Sequence, residues 1–145
     1  VLDTTHTPIL YVEDDIVDLE SVKREFNKIN GSFIIYSAKN GIEALDKLYG
    51  RNGHKKLDPF PKAILLDIKL PKMNGIEFLT ALRENPQFNS IMVFVVTSLF
   101  SSKDKIALQN LGIVGSLIKP LQHSDALDIY WCVNSGADAG NILFS

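Results

Sequence analysis

Short apolar runs alternate with helical periodicities along the whole chain. Ile9-Leu10-Tyr11-Val12, fenced by Pro8, is an uninterrupted apolar run of the kind a strand shows when both its faces are buried. Asp15 stands where a helix cap belongs. From Ile16, apolar residues recur at Leu19, Val22, Phe26 and Ile29, with Lys23, Arg24, Glu25 and Lys28 on the other side and Gly31 as the stop. Phe33-Ile34-Ile35-Tyr36 repeats the strand signal, and the stretch from Ala38 to Tyr49 carries Ile42, Leu45 and Leu48 at helical spacing. From Gly50 to Lys62 both periods are broken by Gly53, Pro59 and Pro61 around the basic His54-Lys55-Lys56, which predicts a long, exposed and mobile connection.

Ala63 to Leu66 is a third strand, followed by a helix from about Asn74 with Ile76, Leu79 and Leu82 inward and Asn85-Pro86 at its end. Ile91 to Val96 is a fourth strand. Ser101 and Asp104 form a Ser-x-x-Asp start for a helix carrying Ile106, Ala107 and Leu111 and closed by Gly112. Val114 to Ile118 is a fifth strand, and Ser124-Asp125 opens a last helix running to about Val133, where Asn134-Ser135-Gly136 breaks the pattern. Parallel neighbours need a crossover and helices supply it, so this alternation predicts an α/β fold. The expected form is a flavodoxin-like (βα)5 doubly wound sandwich with a five-stranded parallel sheet of order 2-1-3-4-5.

Composition narrows the function without deciding it. A chain of 145 residues, 46% hydrophobic and 22% charged, has the size and balance of one globular domain. Fifteen basic against 17 acidic residues give a net charge of -2, and no Lys/Arg-dense stripe offers the electrostatic footprint of a nucleic-acid binder. The single Cys132 has no partner for an internal disulfide and suits a reducing cytoplasm; it reads as a packed thiol. The longest apolar run, Ile91 to Val96, is far too short to cross a bilayer, and Val1 to Pro8 lacks the order of a signal peptide. The expectation is a cytoplasmic protein with neither a membrane nor a nucleic-acid partner.

Chemistry gathers at the strand ends. The first strand ends in Glu13-Asp14, the third in Asp67, the fourth in Thr97 and the fifth in Lys119. In open doubly wound sheets the functional crevice lies at the carboxyl ends of the strands beside the point where strand order reverses, here between the first and third strands. Three carboxylates are thereby brought together, and one like-charge pair 4 Å apart costs about 4 kcal/mol at an effective dielectric of 20. A cation is required, and carboxylate oxygens completed by water and phosphate are how Mg²⁺ is usually held in phosphoryl-transfer sites. With Lys119 as fixed positive charge and the Thr97 hydroxyl as donor, the set suits a phosphoryl group on the Asp67 carboxylate.

In Val12-Glu13-Asp14-Asp15, in Leu66-Asp67 through Leu70-Pro71-Lys72-Met73-Asn74-Gly75, in Val96-Thr97-Ser98 and in Lys119-Pro120, the chain resembles the receiver domain of two-component response regulators. The resemblance implies a single receiver domain over residues 1–136, with a core over 8–134, a tail over 137–145 and no output domain. It implies that Asp67 accepts a phosphoryl group from a phosphohistidine on a sensor histidine kinase or histidine phosphotransfer protein. Asp14 and Asp67 would bind Mg²⁺ with the Lys69 backbone carbonyl, Glu13 would act mainly through a bound water, and Asp15 would lie outside the pocket. Thr97 would swing to the phosphoryl oxygen, and Lys119, held by a cis bond to Pro120, would pair with another. Such a protein is a phosphoacceptor that assists its own phosphoryl transfer and dephosphorylation rather than an enzyme. Its output passes to a downstream protein target, as a monomer or a phosphorylation-dependent homodimer, or to a further phosphotransfer protein in a relay.

The chain departs from the family's pattern at three positions. Ser116 stands where the family often has an aromatic switch, and Lys69 and Leu99 stand two residues past the acceptor and the threonine. Neither of these two is a good general base, so slow hydrolysis of the phosphoryl group is expected. The segment from Gly50 to Lys62 and the Leu-Pro-Lys-x-Asn-Gly loop are similar to small receivers paired with phytochrome-type kinases. A haloacid-dehalogenase-type phosphatase would need a second aspartate where Lys69 stands, and a flavin-binding protein would need a phosphate loop where the chain has Glu13-Asp14-Asp15.

Overall fold

Strands that are apolar at every position need cover on both faces, and the order of elements provides it. The structure is a computed structural model and describes residues 6–29 and 33–135. Its elements are β1 (Thr7–Val12), α1 (Ile16–Asn27), β2 (Phe33–Ala38), α2 (Gly41–Tyr49), β3 (Ala63–Leu66), α3 (Gly75–Arg83), a 3-10 turn (Pro86–Phe88), β4 (Met92–Thr97), α4 (Ser102–Leu108), β5 (Ile113–Ile118) and α5 (His123–Ser135). All neighbouring strands pair in parallel, in the order β2-β1-β3-β4-β5. This is the flavodoxin-like fold expected from the alternation.

Alternate residues of each strand enter different cores. Leu10, Val12, Ile64, Leu66, Val93 and Val95 pack with Leu45 and Leu48 of α2 and Phe78, Leu79 and Leu82 of α3. Ile9, Tyr11, Ala63, Leu65, Phe94 and Val96 pack with Val22 and Phe26 of α1 and Ala126, Ile129 and Cys132 of α5. Cys132 is thus a packed thiol whose pKa burial raises.

Several expectations are corrected at element ends. Ala38 belongs to β2, and α2 starts at Gly41 because the Asn40 side chain accepts the Glu43 N–H at 2.9 Å. Ile42 is exposed, so only Leu45 and Leu48 of the predicted trio are buried. Ile16 is likewise 70% exposed: α1 is capped by Asp15 and turns its first residue outward. In α4, which is only seven residues long, the buried residue is Leu108, while Ile106 and Ala107 face outward. The predicted stop at Gly31 and the tail over 137–145 lie outside the described residues.

Residues 50–62 are not the loose connection expected. The Leu57 N–H donates to the Lys47 carbonyl at 3.1 Å, the Tyr36 hydroxyl donates to the Pro59 carbonyl at 2.8 Å, and Phe60 stacks on Phe88 with ring centres 5.8 Å apart. Leu57 and Phe60 extend the α2/α3 core, and the Asp58-Pro59 bond is cis. Aromatic and aliphatic anchors inside a Gly- and Pro-rich stretch fasten it while its charged residues stay outside.

Candidate functional site

The register of the sheet delivers the strand ends to one place. Val12 pairs with Leu66, Leu66 with Val95, and Thr97 with Ile118. One residue further on, the Asp67 N–H donates to the Val12 carbonyl at 3.1 Å, the Glu13 N–H to the Ala38 carbonyl at 2.8 Å, and the Lys119 N–H to the Thr97 carbonyl at 2.9 Å. The side chains of Glu13, Asp67 and Lys119 therefore project beyond the sheet at a common level. Lys119 is followed by a cis bond to Pro120, as the resemblance implied.

The Lys119 ammonium is the hub. It donates to Asp67 Oδ2 at 2.9 Å, to Asp18 Oδ2 at 2.7 Å and to Glu13 Oε1. Burial alone would lower its pKa, but the bonds to Asp18, Glu13 and Asp67 outweigh burial and hold it above the ordinary lysine value. Glu13 is buried and also accepts from the Tyr11 hydroxyl at 3.1 Å and the Asp15 N–H at 3.2 Å. Burial dominates its titration and raises its pKa despite the Lys119 bond. The Tyr11 hydroxyl, buried beside these acids, is pushed well above the usual phenol value, chiefly by burial and then by Glu13.

Asp67 Oδ1 accepts the Lys69 N–H at 3.2 Å, while the Lys69 side chain is exposed. Asp14 is exposed at the rim, and Asp15 is spent on capping α1 through the N–H groups of Val17 and Asp18. Thr97 is buried, but its hydroxyl bonds the Leu99 carbonyl at 3.4 Å rather than the Asp67 side chain. Leu99 is 61% exposed beside it. Ser116 is half-buried in β5, opposite Val95.

Sequence reasoning missed two participants. Tyr11 reads as a strand residue, although its even spacing from Glu13 puts both side chains on one side of the strand. Asp18, in the first turn of α1, has no feature in the sequence that sets it apart from an acid facing the helix dipole. Its contact with Lys119 spans 101 residues and has no local signal.

Among the described residues, no three His, Cys, Asp or Glu side chains are already gathered in metal-ligating geometry. Lys119 bridges Glu13 and Asp67 instead. The donor chemistry still suits a hard divalent cation, because three carboxylates share one ammonium and Asp14 stands free at the rim.

Residues 9–130 match the response regulator receiver domain. The chain belongs to that family. This receiver is similar to a two-component response regulator from Legionella pneumophila, at 52% identity and a TM-score of 0.83 over 89% of this chain and 98% of that one. The response regulator Rcp1 of Synechocystis is 31% identical over 105 residues, covering 72% of this receiver and 71% of Rcp1. A Mn²⁺-bound form of Rcp1 superposes with a TM-score of 0.73 at 29% identity, over 89% of this chain and 92% of that one. The probable transcriptional regulator ycf29 of Pyropia yezoensis is 32% identical over 121 residues, 83% of this chain but only 50% of ycf29. The receiver thus spans about half of that longer regulator. Among the described residues, no helix is long and apolar enough to cross a membrane.

Proposed function

We propose that this receiver accepts a phosphoryl group on Asp67 and signals by changing its protein contacts. The observation that carries the reading is the Lys119 ammonium bonded to both Asp67 and Glu13 where the strand ends meet. In the proposed transfer an Asp67 carboxylate oxygen attacks the phosphorus of a phosphohistidine on a sensor histidine kinase or phosphotransfer protein. The phosphorus–nitrogen bond breaks, and the imidazole leaves with the electron pair. Lys119 stabilises the charge on the transferring oxygens, and the Thr97 hydroxyl leaves the Leu99 carbonyl for a phosphoryl oxygen.

The residues assigned to Mg²⁺ are Asp14 and Asp67, with the Lys69 carbonyl and with Glu13 through water. Bound there, the ion would neutralise the acids and the incoming phosphoryl charge. That Rcp1 has a Mn²⁺-bound form supports a divalent ion as the cofactor. Ser116 carries no aromatic ring to switch, and output is assigned to a route from Thr97 to the face formed by α4, β5 and α5, where a downstream protein would bind.

The test is incubation with a small phosphodonor and Mg²⁺ followed by intact mass measurement. One phosphoryl adduct is expected, abolished in Asp67→Asn and by chelation. A folded wild-type protein that takes up no phosphoryl group from any donor would sink the reading.

A further inference from the structure

The site holds one more carboxylate than the proposed phosphoryl transfer employs. Asp18 Oδ2 lies 2.7 Å from Lys119 Nζ, nearer than Asp67 Oδ2 at 2.9 Å. An acid placed only to meet the dipole of α1 needs no such partner and meets it from solvent. The Asp18 side chain instead reaches from the first turn of α1 to the end of β5, remaining 35% exposed while Lys119 is only 12% exposed.

An ammonium has three N–H donors. Here Glu13, Asp18 and Asp67 each take one, so Lys119 has none left for a new anion. Glu13 is fixed from behind by the Tyr11 hydroxyl and the Asp15 N–H, and Asp67 is the acceptor itself. Asp18 is the partner that is neither buried nor assigned to the metal. Its charge attracts a cation entering the site and repels an anion that approaches Lys119.

We propose that Asp18 is a positioning residue that competes with the phosphoryl group for Lys119, biasing the receiver toward its unphosphorylated state. The proposal rests on the phosphoacceptor reading above. It predicts opposite effects on two ligands, which a merely structural role would not give. Loss of the Asp18 charge weakens Mg²⁺ binding and, at saturating Mg²⁺, tightens binding of an anion on Asp67. Lost packing would weaken both.

The experiment titrates wild-type, Asp18→Asn, Asp18→Ser and Asp18→Glu proteins with Mg²⁺ alone and then with beryllofluoride, a phosphoryl mimic, at saturating Mg²⁺. Binding is read by tryptophan fluorescence or calorimetry, and a thermal melt checks folding. For Asp18→Asn the expected result is beryllofluoride affinity raised about three- to tenfold, the scale of one screened unit charge several ångströms away. Mg²⁺ affinity should fall in the same protein, and Asp18→Glu should restore both values toward wild type. Asp18→Ser carries the same expectation if the asparagine variant does not fold. Unchanged or weaker beryllofluoride binding in a folded, charge-removed variant overturns the role of Asp18. Failure of the wild-type protein to bind beryllofluoride at all would instead remove the phosphoacceptor reading on which the role depends.

Discussion

Gly75 shows how a residue with no chemistry of its own holds the acceptor in place. Its N–H donates to the Ile68 carbonyl at 2.9 Å, and a Cβ built there would lie 2.3 Å from the Asp67 carbonyl oxygen and 2.7 Å from Ile68 Cα. Backbone on that side cannot yield as a flexible side chain would. Gly75→Ala should therefore destabilise the fold by about 1–3 kcal/mol, the usual cost of overpacking, and slow phosphorylation of Asp67 by displacing its carbonyl. Denaturant melts and the adduct assay would check the two effects, and a stable variant phosphorylated at the wild-type rate would contradict the argument. Leu99 and Lys69 are exposed, each two residues past a site residue, Thr97 and Asp67. If their bulk and charge obstruct attack by water, Leu99→Ala and Lys69→Asn should each shorten the lifetime of the phosphorylated protein. Unchanged decay in both would remove that role. Single residues were legible in the sequence where a strand end announced them, as with Glu13, Asp67, Thr97 and Lys119. Asp18 was not, because its partner is supplied by tertiary folding alone.

At the scale of elements, the pattern identified the five strands and five α-helices of the described residues but not the 3-10 turn, and it set some element ends differently. β3 lies between the residues the apolar run indicated, since nothing polar interrupts it and Asp67 ends it. The start of α2 was set too early because Ser37-Ala38 extends β2, although Asn40 and Glu43 already carried the cap. The Gly and Pro content of the α2–β3 connection points to a loose segment, whereas Leu57 and Phe60 fasten it to the core. Arg83 is a comparable hidden brace. From the last turn of α3 it donates to the carbonyls of Leu111 at 2.9 Å, Phe88 at 3.2 Å, Ile91 at 3.3 Å and Gly112 at 3.0 Å. The guanidinium is half-buried, and burial lowers its pKa. It ties the start of β4 to the turn before β5. Arg83→Ala should cost about 2–4 kcal/mol, since several charge-assisted bonds are lost and the carbonyls must find water. Arg83→Lys, a point charge without the planar fork, should recover only part of that. Urea melts of the two variants would decide this, and a loss below 1 kcal/mol in Arg83→Ala would refute the brace.

Across the whole molecule, the sheet's two cores stabilise the fold, and the carboxyl end spends part of that stability on buried charge. The Glu13 side chain is 1% exposed and the Lys119 side chain 12%, and removing one member of a buried pair typically costs about 3–5 kcal/mol because the other is left uncompensated. Lys119→Met should show a loss of that order at neutral pH, and the loss should depend on pH in a defined direction. Burial already raises the Glu13 pKa in the folded protein, and without the Lys119 bond it rises further. Between the ordinary glutamate value and the folded one, the native state then binds more protons than the unfolded state, so stability falls as pH rises. The defect in Lys119→Met should therefore be largest above the folded pKa of Glu13 and shrink as pH drops through it toward the ordinary value. Mg²⁺ should narrow the defect, because acids left without the ammonium bind the ion more tightly than in the wild type, and each tenfold tighter Kd adds about 1.4 kcal/mol to the folded variant at saturation. Thermal melts of the wild-type and Lys119→Met proteins across pH, with Mg²⁺ and with chelator, would measure both trends. A defect independent of pH and untouched by Mg²⁺ would mean that Lys119 acts as packing, and the charge balance proposed for the site would fail with it.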